Sequence, residues 1–132
     1  MLTMLDTNVC IGIIKNNPPQ LRQNLFQLPV EEVAISQIVL YELEYGICRS
    51  QHQERNRRNL DGFLKHIRVL DWQHEQSQEA ALVRCELMAL GQPIGHYDTL
   101  IAGHARSLKA KLITHNLREF ERVEGLALED WE

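Results

Sequence analysis

Four acidic residues fall at positions where their carboxylates could act together. Asp6 directly follows a short apolar run, Glu42 lies in the most apolar helical stretch, Asp98 begins a helical stretch of small and apolar residues, and Glu119 lies in the turn after another apolar run. Carboxylates that converge repel one another and raise each other's pKa values unless a divalent cation neutralises them. Ligation by oxygen alone suits Mg²⁺ or Mn²⁺. Such a site favours phosphodiester hydrolysis, in which bound metal activates water.

Each acid also has a purely structural interpretation. Asp6 could cap the helix that follows it, and Glu42 could form a salt bridge or reach water at the rim of the core. Asp98 could serve only the dipole of its helix. Asn116, with Glu119 three residues later, fits a capping box. Taken one at a time, the acids leave these alternatives open.

Glu42 has the least usual surroundings of the four. Helical spacing places it on the same face as Ile38 and Gly46, whereas Glu44 points elsewhere. An unpaired carboxylate near a core is costly, so Glu42 should have a cation, a proton or a metal as partner. The small Gly46 is expected to admit a close neighbour.

The elements that must position these acids alternate between strands and helices. Short runs rich in Val, Ile and Leu predict four strands, and helical patterns lie between them, so we expect a parallel sheet covered by helices. The first helix is expected to open at Asn8, and Ser36 is a plausible N-cap for a later one. The predicted strands are Leu2–Leu5, Val33–Ile35, Arg68–Leu70 and Leu112–Thr114, with a small edge strand near Leu126–Leu128.

A parallel sheet gives the four acids a common location. If the first and fourth strands are adjacent, then Asp6, Asp98 and the turn from Asn116 to Glu119 surround one crevice at the carboxyl edge of the sheet. Glu42 would enter that crevice from a helix packed beside it. The sequence therefore predicts one acidic metal site.

Composition limits the class of protein. The 132 residues, 44% of them apolar, are expected to form one domain around one core. Three widely spaced cysteines argue against a disulfide framework, and no pair of cysteines or histidines has zinc-ligand spacing. The apolar stretches are far shorter than the ~20 residues that span a bilayer, and the N-terminus lacks a basic segment followed by a long apolar one. We expect a soluble cytoplasmic protein.

The charge pattern is compatible with a nucleic-acid substrate without demanding one. The net charge is −4, but a nuclease built on carboxylates concentrates acid at its centre, where bound metal reverses the local sign. Basic residues cluster between Arg49 and Arg68, which is also typical of a solvated helix face. The candidates for phosphate contact are the stretch from Arg55 to Arg68 together with Arg106, Lys109 and Lys111.

Short motifs spread over essentially the whole chain resemble one family. They are Leu5-Asp6-Thr7-Asn8, Ile35-Ser36 with Glu42 and Gly46, Gly95-His-Tyr-Asp98 running into Ile101-Ala-Gly-His-Ala105, and Thr114-His-Asn116 with Glu119-Phe120. In this order they resemble the PIN-domain ribonucleases, and more closely the VapC toxins of VapBC toxin–antitoxin pairs. The ending Leu128-Glu-Asp-Trp131 is similar to the enteric branch of these toxins.

The resemblance implies a three-layer α/β/α sandwich with a central parallel sheet, formed by a single PIN domain over residues 1–132. It implies that Asp6, Glu42 and Asp98 are catalytic and bind Mg²⁺, or alternatively Mn²⁺. Many relatives carry their fourth acid where this chain has Asn116, so Glu119 is expected to replace it as the fourth catalytic metal ligand. The residues expected to orient carboxylates or metal-bound water are Thr7, Asn8, Ser36, Thr114 and Asn116.

The same resemblance implies a substrate and partners. It predicts a metal-dependent endoribonuclease that inhibits translation by cutting the anticodon stem-loop of initiator tRNA, a homodimer, and a hetero-oligomer with a VapB-type antitoxin. Two other functions stay open on the sequence. One is a non-catalytic RNA- or partner-binding module with the same fold. The other is a phospho-acceptor receiver domain with Asp71 as acceptor, although no lysine follows the fourth strand as that fold requires.

Overall fold

A five-stranded parallel sheet forms the centre of the molecule, as the computed structural model of residues 1–132 shows. The strand order is β3-β2-β1-β4-β5, and every neighbouring pair is parallel. The three inner strands are buried on both faces, as is usual for a parallel sheet covered by helices. The strands are β1 (Thr3–Leu5), β2 (Val33–Ser36), β3 (Arg68–Leu70), β4 (Lys111–Ile113) and β5 (Ala127–Glu129).

Helices occupy the connections between the strands. They are α1 (Thr7–Lys15), α2 (Gln20–Leu25), α3 (Gln37–Cys48), α4 (Gln53–Leu64), α5 (His74–Ala89), α6 (His96–Ser107) and α7 (Leu117–Phe120), with a 3₁₀ turn over Val30–Glu32. The predicted α/β/α sandwich is confirmed, and β1 and β4 are adjacent. None of the helices combines the length and the apolar character that crossing a bilayer would need.

The first helix begins one residue earlier than the sequence predicts. The helix starts at Thr7, and Asp6 is its N-cap, because the Asp6 Oδ1 atom accepts a hydrogen bond from the Val9 amide at 2.9 Å. The carboxylate thereby satisfies one of the amides that an α-helix leaves unpaired at its start. Asp6 is consequently held rigidly at the junction of β1 and α1.

Helices α5 and α6 approach each other closely at Gly103. A Cβ atom on Gly103 would lie 2.4 Å from the Cα of Ala80, so only glycine allows this contact. The close neighbour predicted at Gly46 is absent within the chain, since a Cβ atom there would meet nothing within 4 Å. The tight helix contact thus sets the position of α6, which carries Asp98.

We expect Gly103→Ala to lower the free energy of unfolding by about 1 to 3 kcal/mol, because the backbone of Ala80 must move. Gly46→Ala is the matched control, a helix-interior glycine with open space around it. Its expected effect is a gain of about 0.5 to 1 kcal/mol from intrinsic helix propensity. Urea denaturation of both variants measures the difference, and equal effects would contradict the packing described.

Candidate active site and metal centre

The four predicted acids converge at the carboxyl edge of β1 and β4. Asp6 follows β1, Glu42 projects from the middle of α3, Asp98 lies in the first turn of α6, and Glu119 lies in α7. Asp98 is close enough to the other three for each of their charges to act on it. The crevice expected from the sequence therefore exists, with all four carboxylates around it.

Asp6 is almost completely buried, with 6% of its surface exposed. Its Oδ2 atom accepts a hydrogen bond from the Thr114 hydroxyl at 2.6 Å, in addition to the Oδ1 bond from the Val9 amide. Burial raises the pKa of Asp6, these two hydrogen bonds lower it, and the nearby charge of Glu42 raises it again. The Asp6 side chain thus caps α1 and also belongs to the acidic site, so these two interpretations of Asp6 are not alternatives.

Glu42 has a hydroxyl partner and no cation. Its Oε1 atom accepts a hydrogen bond from the Thr7 hydroxyl at 2.6 Å. The salt bridge on this helix belongs to Glu44, whose two carboxylate oxygens accept hydrogen bonds from Arg57 at 2.5 and 2.9 Å. The structural interpretation of Glu42 as a salt-bridged residue is therefore wrong.

Asp98 and Glu119 form a pair of carboxyl groups in direct contact. The pKa of Asp98 is raised to about 7. Partial burial is the largest cause, followed by the hydrogen bond with Glu119 and then by the charges of the other three acids. The Asn116 amide donates to Glu119 Oε2 at 2.9 Å and fixes that side chain. The predicted capping box is wrong, because the Asn116 side chain binds Glu119 instead of capping α7.

Three of the five predicted orienting residues contact an acid, and two do not. Thr7 binds Glu42, Thr114 binds Asp6, and Asn116 binds Glu119. Asn8 is exposed, and its side chain makes no hydrogen bond. Ser36 caps α3 by accepting from the Ile38 amide at 3.1 Å. Ser36 and Asn8 therefore do not orient a carboxylate directly.

A buried histidine, which the sequence analysis assigned no role, joins the elements around the site. His104 is fully buried, and its Nδ1 atom lies 2.8 Å from the Ser36 hydroxyl oxygen. Burial lowers the pKa of His104 to about 4, so the imidazole is neutral at physiological pH. This contact links α6, which carries Asp98, to the start of α3, which carries Glu42. The position of His104 within an apolar run of α6 was the one sign in the sequence that this histidine is buried.

Residues after β5 also reach the site. The exposed His115 lies 3.0 Å from a carboxylate oxygen of Asp130 and 3.6 Å from one of Glu132. The charge of Glu132 contributes to the raised pKa of Asp6. The sequence predicts a small strand here, but nothing in its pattern indicates that the residues after the strand approach the acids.

Three of the predicted phosphate-binding cations are already engaged. Arg106 forms ion pairs with Glu79 and Glu86, Lys111 pairs with Glu129 at 3.0 Å, and Arg57 of the basic stretch pairs with Glu44 and Asp61. The charges of these three residues are therefore already paired within the chain, which the sequence did not predict. The exposed cations of the predicted set that form no ion pair are Arg55, Arg58, Lys65, Arg68 and Lys109.

The donor set fits a divalent metal ion. Four carboxylates share one crevice, and no lysine, arginine or histidine forms an ion pair with any of them. Partial burial is the largest cause of the raised pKa of Asp98, and the charges of the other three acids raise it further. All-oxygen ligation of this kind is typical of Mg²⁺ and Mn²⁺ rather than zinc.

Asp71, the alternative phospho-acceptor, lies elsewhere. It follows β3, which is an edge strand separated from β1 by β2, and it is exposed. The acids thus converge around β1 and β4, not around Asp71. The receiver-domain interpretation is wrong for this chain.

Comparisons with known proteins agree with the geometry. The chain matches the PIN domain family over residues 3–126. It is 46% identical over 128 residues to the tRNA(fMet)-specific endonuclease VapC of Shigella flexneri, covering 97% of this chain and 96% of that protein. It is 40% identical over 133 residues to the ribonuclease VapC2 of Rickettsia felis, covering 100% and 99%.

Solved structures show the same fold. The DNA-bound VapBC of Salmonella typhimurium superposes with a TM-score of 0.93 at 44% identity and covers 100% of both chains. VapBC2 of Rickettsia felis, bound to a DNA fragment from its promoter, also has a TM-score of 0.93, at 38% identity and with 100% of both chains covered. The resemblance inferred from the short motifs is confirmed, and the chain belongs to the PIN-domain family, in its VapC branch.

Proposed function

We propose that this chain is the toxin of a toxin–antitoxin pair and an Mg²⁺-dependent endoribonuclease that cuts initiator tRNA. The observation that carries the proposal is the group of four carboxylates without a cationic partner, three of which receive a hydrogen bond from a threonine or asparagine side chain. Full-length relatives named tRNA(fMet)-specific endonuclease support the choice of substrate. The proposed site of action is the cytoplasm, where tRNA is found.

Asp6, Glu42, Asp98 and Glu119 are the proposed metal ligands and catalytic residues. A divalent cation supplies charge neutralisation and activation of water when it is bound. Thr114 and the Val9 amide hold both oxygens of Asp6, and Thr7 holds Glu42. Fixing the carboxylates in advance lowers the cost of assembling the site. Mg²⁺ is the proposed ion and Mn²⁺ the alternative, because carboxylate oxygens suit both.

Asp98 is the acid of the site that is expected to exchange a proton near neutral pH. With a pKa of about 7, Asp98 is partly protonated at neutral pH in the metal-free protein. Entry of a cation favours the ionised form, so Asp98 is expected to release its proton when metal binds. No histidine is required as a general base, and the proposed products carry 5′-phosphate and 3′-hydroxyl ends.

The proposed partners follow from the relatives. Solved relatives of similar length are VapBC complexes, and we propose that a VapB-type antitoxin silences this chain. We further propose that residues 1–132 form a single PIN domain that assembles as a homodimer and binds the antitoxin as a hetero-oligomer. A purely non-catalytic binding module would tolerate loss of an acid, and none of the four is lost here.

Asp98→Asn should reduce Mg²⁺-dependent cleavage of initiator tRNA by at least about 100-fold, because several kcal/mol of metal-based charge stabilisation are lost. Asp71→Asn is the matched control, since Asp71 is an exposed aspartate outside the site. Cleavage rates and growth inhibition measure the effect, with antitoxin binding as a check on folding. Equal activity of the two variants would overturn the catalytic assignment.

Asp98→Asn should also change the pH dependence of stability in EDTA. The raised pKa of Asp98 means that its contribution to stability is present below its ordinary pKa of 3.8 and is lost as pH rises through about 7. The variant lacks this loss, so its melting temperature at pH 8 should exceed that of the parent by roughly a few degrees. Thermal denaturation at pH 5 and pH 8 tests this. A lower melting temperature than the parent at pH 8 would contradict the electrostatic account.

Thr114→Val should weaken Mg²⁺ binding and cleavage by about 10- to 100-fold, because Asp6 loses the hydrogen bond that orients its Oδ2 atom. Thr3→Val is the matched control, a buried strand threonine whose side chain makes no hydrogen bond to an acid. Calorimetric titration with Mg²⁺ and single-turnover cleavage measure the two losses. If both variants bind Mg²⁺ like the parent, Thr114 has no orienting role.

A further inference from the structure

Three exposed tyrosines form one aromatic surface beside the acids. Tyr41 and Tyr45 of α3 are 53% and 57% exposed, and Tyr97 of α6 is 45% exposed. The rings of Tyr41 and Tyr97 have centroids 5.5 Å apart, and their hydroxyl oxygens are 3.3 Å apart. These three residues, from two helices, are named the tyrosine face. Large rings that are clustered and exposed in this way mark a binding surface more often than scattered apolar residues do.

The tyrosine face adjoins the acidic site directly. Tyr41 precedes Glu42, and Tyr97 precedes Asp98. All three tyrosines line a cavity of about 930 Å³ that also contains Thr7 and Glu42. A molecule whose reacting atom lies among the acids would therefore place its next portion on these rings.

Unpaired cations line the same cavity. Lys15, Arg49 and Arg55 line it, and none of them forms an ion pair within the chain. The Arg49 guanidinium lies 5.5 Å from the centroid of the Tyr45 ring. Aromatic rings next to free cations fit a ligand with both planar groups and negative charges. Single-stranded nucleic acid has this chemistry, with bases that stack and phosphates that bind cations.

We propose that the tyrosine face stacks unpaired RNA bases next to the phosphate held at the acids, while Lys15, Arg49 and Arg55 contact phosphates farther along the strand. The inference rests on the proposed ribonuclease function. It implies that the tyrosine face makes the enzyme select single-stranded RNA over duplex RNA. Stacking accepts any base because every base has a π-face. Tyr41 and Tyr97 are thus substrate-positioning residues and do not take part in the chemistry.

The test uses a single-stranded oligoribonucleotide with 2-aminopurine beside the cut position, bound in the Asp98→Asn background so that it stays intact. Tyr41→Leu and Tyr97→Leu should each weaken binding by about 5- to 150-fold and abolish quenching of 2-aminopurine, because a stacking partner is lost. Tyr41→Phe and Tyr97→Phe keep the ring and should retain both. Leu82→Ala, at an exposed residue of α5 outside the cavity, is the control. In the active enzyme the Leu variants should raise KM more than they lower kcat.

Three results would overturn the inference. The first is unchanged binding and quenching in the Leu variants while the parent cuts RNA normally, which leaves the proposed function intact. The second is loss of antitoxin affinity with RNA binding unchanged, which assigns the tyrosine face to a protein partner. The third is a change in the mass of the oligomer in solution, which assigns it to contact between copies of the chain. Failure of the parent to cut any RNA would instead contradict the proposed function.

Discussion

Repulsion among converging carboxylates is the constraint on which the rest of the structure depends. Four acids are held in one crevice with no cationic side chain to neutralise them. Partial burial, followed by the hydrogen bond with Glu119 and the charges of the other three acids, raises the pKa of Asp98 to about 7. Such an arrangement costs folding free energy that the surrounding core must supply. Hydrogen bonds from Thr114, Thr7 and Asn116 hold three of the acids in place, so the repulsion is not relieved by side-chain rotation.

The sheet and one helix pair supply the rigidity that this crevice needs. The parallel register of β1 and β4 sets Asp6 beside Thr114, although 108 positions separate them in the sequence. Close packing of Gly103 on Ala80 fixes α6, and the contact of His104 with Ser36 ties α6 to the start of α3. The helices that carry Asp98 and Glu42 are thus held by contacts that lie outside the acids themselves.

The sequence predicted the features that depend on local pattern. Apolar runs marked the strands, and acids at strand ends or on apolar helix faces marked Asp6, Glu42 and Asp98. Features that depend on which distant groups meet were not predicted. Ser36 and His104, whose side chains are in contact, lie 68 positions apart in the sequence. Arg106, which was expected to contact phosphate, instead forms ion pairs with Glu79 and Glu86 of α5. Asn116 could use its side-chain oxygen to accept from a helix amide or its side-chain nitrogen to donate to Glu119, and the local pattern alone does not decide between them.

The double role of Asp6 makes the two aspartates unequal as sites of inactivating mutation. Replacement of Asp6 by a residue without a side-chain acceptor removes the cap of α1 together with a carboxylate. Asp98 caps no helix, so its replacement leaves the scaffold intact. Under the proposed toxin function, a population selected for escape would gain mostly degraded protein from loss of Asp6. Loss of Asp98 would instead leave a folded decoy that occupies the proposed antitoxin and so frees any active copies made beside it.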